Sequence, residues 1–184
     1  MNYDNPLVFL FNTLFDIYIA IVMLRFLLQQ VGADFYNPLS QFIVNATQKP
    51  VLLSRRLIPS VRGIDLATLV LVLLLIVIKL SLLLALSGVA PAPVALLVQS
   101  LYDLISLVFN IFFYAIIVQA ILSWVNPDPR NPISGLLSSL TRPILRPIRS
   151  RLPLMGGLDL SPVVALIGLT FIKLTLLSVF QALF

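Results

Sequence analysis

Four long apolar runs dominate the chain, separated by shorter segments in which polar residues, arginines and prolines collect. The runs cover about Leu7–Gln29, Leu66–Leu86, Leu101–Trp124 and Leu160–Phe184. Each is long enough, at about 1.5 Å per residue, to cross roughly 30 Å of hydrocarbon. The pattern predicts four transmembrane helices. The third run is apolar back to Val94, so its helix either extends further or opens with an interfacial turn.

The segments Val31–Gly63 and Asn126–Gly157 have a different period. Asn131-Pro132 is a helix start, because Asn caps free N–H groups and Pro suits the first helical position. Apolar residues then fall at Ile133, Leu136, Leu137, Leu140, Ile144, Leu145, Ile148 and Leu152, three or four apart. Ser138, Ser139, Arg142, Arg146 and Arg149 take the other faces. This is an amphipathic helical pattern, too short and too charged to span. Pro143 and Pro147 are expected to break it into two short helices at the membrane surface. The earlier segment repeats the plan: Asn37-Pro38, then Leu39, Phe42, Ile43 and Ala46, a break at Pro50, then Leu52, Leu53 and Leu57. Whether these helices lie flat or dip between the spans is left open.

The chain nearly superposes on itself with a shift of 94 residues. Asn37-Pro38 matches Asn131-Pro132, Arg55 matches Arg149, and Pro59 matches Pro153. Gly63-Ile64-Asp65-Leu66 matches Gly157-Leu158-Asp159-Leu160, and Ile78-Lys79-Leu80 matches Ile172-Lys173-Leu174. Pairing 14–90 with 108–184 gives 21 identities in 77 positions without a gap. Apolar composition alone does not align Asn-Pro, Gly-x-Asp and Lys in one register, so the chain reads as a duplication. Residues 1–90 form the first repeat, 91–93 a linker and 94–184 the second. With two spans each, the repeats insert the same way up, as parallel rather than inverted repeats.

Composition supports lipid as the solvent. Hydrophobic residues make up 60% of the 184, and charged residues only 10%, against roughly 25% in a soluble domain. Cys and His are absent, which removes thiolate chemistry, disulfides, Cys/His zinc sites and His or Cys ligation of haem. The N-terminus has no basic stretch or small-residue cleavage site and reads as a retained span. Nine of the twelve Lys and Arg residues lie in the two intra-repeat segments, including Lys49, Arg62 and Arg130. The positive-inside rule places these segments in the cytoplasm and both termini and the linker outside. Trp124 then anchors the inner end of the third span.

The remaining charges are candidate sites. Arg55, Arg56, Arg142, Arg146, Arg149 and Arg151 offer a surface to anionic headgroups or a protein partner, beyond fixing topology. Asp65 and Asp159, each just before a span, read as helix N-caps or as ion-pair partners of these arginines. Ser161-Pro162 offers a competing helix start. Asp16 and Lys79 fall at similar depths, roughly 13 and 11 Å from the outer ends of their helices, and form a candidate intramembrane ion pair. In the second repeat Asn110 replaces Asp16 while Lys173 remains, and Asp103 is the alternative counter-ion. Snorkelling of the lysines to the headgroups and an ion path are the competing readings. Arg25, near the inner end of its span, is expected to snorkel inward.

The string Ile121-Leu122-Ser123-Trp124, then Arg142-Pro143-Ile144-Leu145-Arg146-Pro147-Ile148-Arg149, then Gly156-Gly157-Leu158-Asp159-Leu160-Ser161-Pro162, resembles the signature of the YggT family. The first repeat resembles it through Leu24-Arg25-Phe26, Asp34-Phe35-Tyr36-Asn37-Pro38 and Gly63-Ile64-Asp65. It departs at Gln29-Gln30, where the second has Ser-Trp, and at Ala67-Thr68, where the second has Ser-Pro. The resemblance covers essentially the whole chain and matches the two-repeat proteobacterial form. It implies an all-α inner-membrane protein without known catalytic residues. Relatives have been linked to osmotic-stress tolerance and ion uptake, to division and envelope organisation, and in chloroplasts to nucleoid distribution and cytochrome complex maturation.

Two functional classes follow. One is a non-enzymatic scaffold or assembly factor that docks lipid or an unidentified membrane or cytoplasmic protein through its arginine segments. The other is a small oligomeric channel or transporter whose path uses Asp16, Lys79 and Lys173. An enzyme would require a Ser–Lys dyad built on Ser81 or Ser178, which only residue type supports. No cofactor or nucleic acid partner is expected; the channel reading alone calls for a homo-oligomer, and the sequence does not fix the oligomeric state.

Overall fold

The computed structural model describes residues 6–90, 92–125, 131–152 and 159–183. Among these the fold is all-helical: α1 Pro6–Gln30, α2 Pro38–Leu57, α3 Leu66–Leu86, α4 Pro93–Val125, α5 Pro132–Arg149 and α6 Ser161–Leu183. Four of them, α1, α3, α4 and α6, are long and apolar enough to cross a membrane. The chain is thus a multi-pass membrane protein. Pro91 of the linker, Arg130, Pro153, Phe184 and the Gly156-Gly157-Leu158 part of the sequence motif lie outside the described residues.

Helix α4 starts eight residues before the expected Leu101. Its 33 residues extend about 50 Å, well beyond the hydrocarbon thickness. The apolar stretch from Val94 simply continues the helix.

The spans pair as α1 with α3 and α4 with α6, and contact between α3 and α4 joins the two pairs. The faces that meet follow helical spacing. Ile19, Val22, Met23 and Phe26 of α1 are buried, as are Leu71, Val72, Ile76, Leu80 and Leu83 of α3. Lipid tails are as apolar as these side chains, so close packing and polar cross-helix contacts have to hold such helices together. A second cluster, Ile116, Leu145 and Ala165, ties α4, α5 and α6.

Helices α2 and α5 form a layer at one end of the bundle. Helix α2 packs on α1 and α3, α5 packs on α4 and α6, and the two touch each other. Asn37 and Asn131 accept from the N–H groups of Leu39 and Ile133 at 2.9 Å, fixing each helix start. The Asn37 side chain also donates to the Pro132 carbonyl at 2.7 Å, linking one start to the other.

The expected breaks do not occur: α2 continues through Pro50 and α5 through Pro143 and Pro147. A proline removes one backbone hydrogen bond and crowds the preceding turn, at a cost of about 3 kcal/mol. Packing outweighs that local cost. Val51 follows Pro50 into the core, and Leu140, Thr141 and Leu145 flank Pro143 there, while Pro143 and Pro147 point outward. The buried face of α5 thus belongs to the bundle.

Two tight turns aim the helices. Gly32, at φ +62°, ends α1, with Ala33 N–H bonded to the Leu28 carbonyl and Gly32 N–H to that of Gln29. This left-handed cap suits a residue without Cβ. Between α2 and α3, Val61 and Ile64 exchange two backbone hydrogen bonds around Arg62 and Gly63, whose φ angles are +52° and +83°. That turn sets Asp65 at the start of α3.

Candidate functional site

Polar side chains meet across helices at two levels. The deeper level lies within the spans. Lys79 Nζ of α3 donates to Asp16 Oδ1 of α1 at 2.7 Å, and Asn12, one turn earlier, donates to Asp16 Oδ2 at 3.2 Å. In the second repeat Lys173 Nζ of α6 donates to Asn110 Oδ1 of α4 at 2.7 Å. Asp103 is not the counter-ion of Lys173: it accepts from Gln99 at 2.8 Å, one turn away on its own helix. It stands seven residues, about 10 Å, along α4 from the level where Lys173 meets Asn110.

Asp16, Lys79, Asp103 and Asn110 share the wall of a cleft of about 720 Å³. Leucines of α5, among them Leu140, line it beside α1, α3 and α4. A carboxylate, an ammonium, a second carboxylate and an amide therefore converge on one mostly apolar cavity.

The second level is where the spans meet the α2–α5 layer. The Asp65 carboxylate, 2% exposed, accepts from Arg55 Nη2 at 2.5 Å and Nε at 3.1 Å. It also accepts from the Thr68 N–H at 3.2 Å and the Thr68 hydroxyl at 2.6 Å. Asp65 is therefore cap and ion-pair partner at once. Burial pushes its carboxyl up, but the hydrogen bonds from Arg55 and Thr68 and the Arg55 charge outweigh this and hold it below the usual carboxylate range. Arg149 Nε meets Asp159 at 2.7 Å, and Asp159 accepts the Ser161 N–H at 2.9 Å. Here too burial raises the carboxyl, while Ser161 and Arg149 bring it below the usual range. This pair is far more open, with side chains 49% and 38% exposed.

Arg25 does not snorkel. It is buried, and its Nη1 donates to the Val44 carbonyl at 3.1 Å and the Thr47 hydroxyl at 2.9 Å, both on α2. Contact with α2 takes up the guanidinium instead. Gln119 occupies the corresponding place in α4 and accepts from the Thr141 hydroxyl of α5. Arg56, Arg142, Arg146 and Arg151 are exposed, and none pairs with a carboxylate among the described residues. Arg142, Arg146 and Arg149 line a second cavity of about 440 Å³ with Gln119 and Thr141.

One helix cap and three cross-helix arrangements thus recur 94 residues apart: the caps Asn37 and Asn131, then Arg55–Asp65 and Arg149–Asp159, Asp16–Lys79 and Asn110–Lys173, Arg25–Thr47 and Gln119–Thr141. The two threonines and Ser40 were missed by sequence reasoning. Thr47 and Thr141 were available as an identity in the internal alignment, as were Ser40 and Ser134.

Comparison with known proteins agrees with this layout. The family model described as CCB3/YggT matches the chain twice, at residues 5–86 and 98–180. An uncharacterized protein of Pseudomonas aeruginosa is 47% identical over 173 residues, covering 93% of this chain and 88% of the relative. An uncharacterized protein of Vibrio alginolyticus, named for the proC 3′ region, is 46% identical over 169 residues, 91% of each chain. The uncharacterized protein YggT of Escherichia coli K12 is 37% identical over 178 residues, 97% of this chain and 93% of the relative. No solved structure matches the chain. On the double family match and these full-length relatives, the chain belongs to the CCB3/YggT family.

Proposed function

We propose that the protein is a non-enzymatic scaffold of the bacterial inner membrane, with the α2–α5 layer in the cytoplasm and both termini in the periplasm. The positive-inside rule supports that orientation, since nine of twelve basic residues lie in the two segments that carry this layer. The observation that carries the reading is the layer itself. Two helices from separate repeats touch, are tied by the Asn37 side chain donating to the Pro132 carbonyl, and are locked to the spans by Arg25–Thr47, Arg55–Asp65 and Arg149–Asp159. Arg56, Arg142, Arg146 and Arg151 are left facing out. A rigid basic platform at the membrane surface suits an acidic protein surface, with anionic headgroups at its rim. Envelope or membrane-complex organisation is the role this geometry fits.

The test neutralises the platform without touching its locks. A chain with Arg56, Arg142, Arg146 and Arg151 all changed to Gln is expected to insert normally and melt within a few degrees of wild type. It is expected to lose crosslinking, from a photoreactive residue at Ser139, to a protein partner in the membrane, and to fail to replace the wild-type gene. Full replacement by the quadruple variant sinks the scaffold reading.

The cleft around Asp16, Lys79, Asp103 and Asn110 favours a second reading, an oligomeric channel or transporter that contributes to ion uptake or osmotic balance. Four spans seldom enclose a pore alone, so this reading requires association of copies. Proteoliposomes subjected to a potassium-salt osmotic shift would then show flux above empty liposomes, removed by Lys79→Ala. Flux equal to that of empty liposomes, with the protein correctly inserted, excludes it.

A further inference from the structure

We propose that a pocket at the junction of α1, the α1–α2 turn and α2 binds a single phosphate group, held by Arg25, Arg55 and the Ser40 hydroxyl. The pocket measures about 330 Å³, and these three residues line it together with Gln29 and an apolar wall that includes Leu28, Phe35 and Ile43. Three observations point to an anion.

The first is Ser40. It is only 6% exposed, and its hydroxyl is the one buried side-chain polar atom without a partner among the described residues. Buried hydroxyls are nearly always bonded, so an orphan hydroxyl on a residue of the pocket wall calls for a partner, which a small rotation of the side chain toward an occupant would supply.

The second is Arg25. It is 9% exposed, and its two hydrogen bonds go to neutral oxygens of α2. No carboxylate lies within ion-pair distance of it among the described residues. Asp65, the acid of this region, is engaged by Arg55. Arg25 and Arg55 thus share one carboxylate, which leaves a part-buried positive charge uncompensated, and an anion in the pocket would neutralise it.

The third is size and depth. The cavity is far larger than the roughly 30 Å³ share of one water, so a single bridging water underfills it. Arg25 lies five residues, about 7.5 Å, from the end of α1, within reach of a headgroup if the span ends with the helix. A charged end beside an apolar wall suits a phosphate with a glycerol or similar carbon group attached. The second repeat has Gln119 in place of Arg25, so one site per chain is expected.

The same substitution supplies the test. Arg25→Gln copies what α4 already accommodates, and it is expected to fold. Ser40→Ala is a second variant that leaves the guanidinium in place. The delipidated full-length chain in detergent is titrated with phosphatidylglycerol and, separately, with inorganic phosphate, and read by native mass spectrometry and thermal melting. Wild type is expected to retain one phosphatidylglycerol, with affinity about tenfold weaker in Arg25→Gln and several-fold weaker in Ser40→Ala. Stabilisation by inorganic phosphate alone, equally lost in the variants, keeps the site and makes free phosphate its source. Binding of neither ligand to wild type, or equal binding by wild type and both variants, overturns the proposal.

Discussion

Replacing Asp65 by alanine is expected to destabilise the protein by about 3–5 kcal/mol, and Asp159→Ala by about 1 kcal/mol, although the two residues correspond in sequence. The difference comes from burial. Asp65 is 2% exposed and accepts from Arg55 and from both polar groups of Thr68, itself fully buried. Removing the carboxylate leaves the Thr68 N–H and hydroxyl without it in a dry site and takes the counter-charge from Arg55 and its neighbour Arg25. Asp159 and Arg149 are 38% and 49% exposed, so water or headgroups replace much of what is lost. Unfolding equilibria in mixed detergent–SDS micelles measure both, and equal costs would show that the tighter burial of Asp65 contributes nothing.

The same site sets an acid limit. The folded Asp65 carboxyl lies below its ordinary value, so the unfolded chain binds more protons through the window between them. The Asp65 contribution is therefore fully present above about pH 4 and is lost as pH falls through the lower, folded value. Asp65→Asn keeps a capping side chain but is expected to flatten this acid dependence. Persistence of the wild-type slope in Asp65→Asn would assign it to other carboxylates.

The spans were legible because lipid makes a crude demand: some twenty apolar residues in a row satisfy it, whatever their order. The start of α2 and α5 was legible for a local reason, since Asn followed by Pro is both cap and first turn. The prolines misled because their effect was judged from the chain alone. A missing N–H costs a fixed amount, while the gain from seating Val51, Leu140 and Leu145 against the spans depends on tertiary packing. Arg25 misled for a related reason: its depth is readable, but the threonine hydroxyl waiting on α2 is not. Asn110 and Asp103, seven residues apart, share one face of α4, so the choice between them as the partner of Lys173 rests on the axial offset of α4 against α6, which tertiary packing sets. Thr47 and Thr141 were visible as identities between repeats, but a small polar residue in a helix has no pattern that marks it as a lock.

Lys79→Met is expected to cost about 2–3 kcal/mol, and Asp16→Asn under about 1 kcal/mol. The asymmetry follows from the second repeat, where Asn110 already accepts the Lys173 ammonium at 2.7 Å. An asparagine at position 16 can accept from Lys79 in the same way, losing Coulomb attraction but not the hydrogen bond. Removing the ammonium instead leaves the Asp16 carboxylate in a mostly apolar cleft with Asp103 on the same wall. Adding Asp16→Asn to Lys79→Met removes that stranded charge, so the double variant should be more stable than Lys79→Met alone. The coupling energy is expected to be about 1–2 kcal/mol, at the upper end for polar contacts between membrane helices. It should change little between low and high salt, because a pair inside the membrane is screened far less than one at the surface. Additivity within about 0.5 kcal/mol would mean that Lys79 and Asp16 act independently, with Lys79 reaching the headgroups in the membrane.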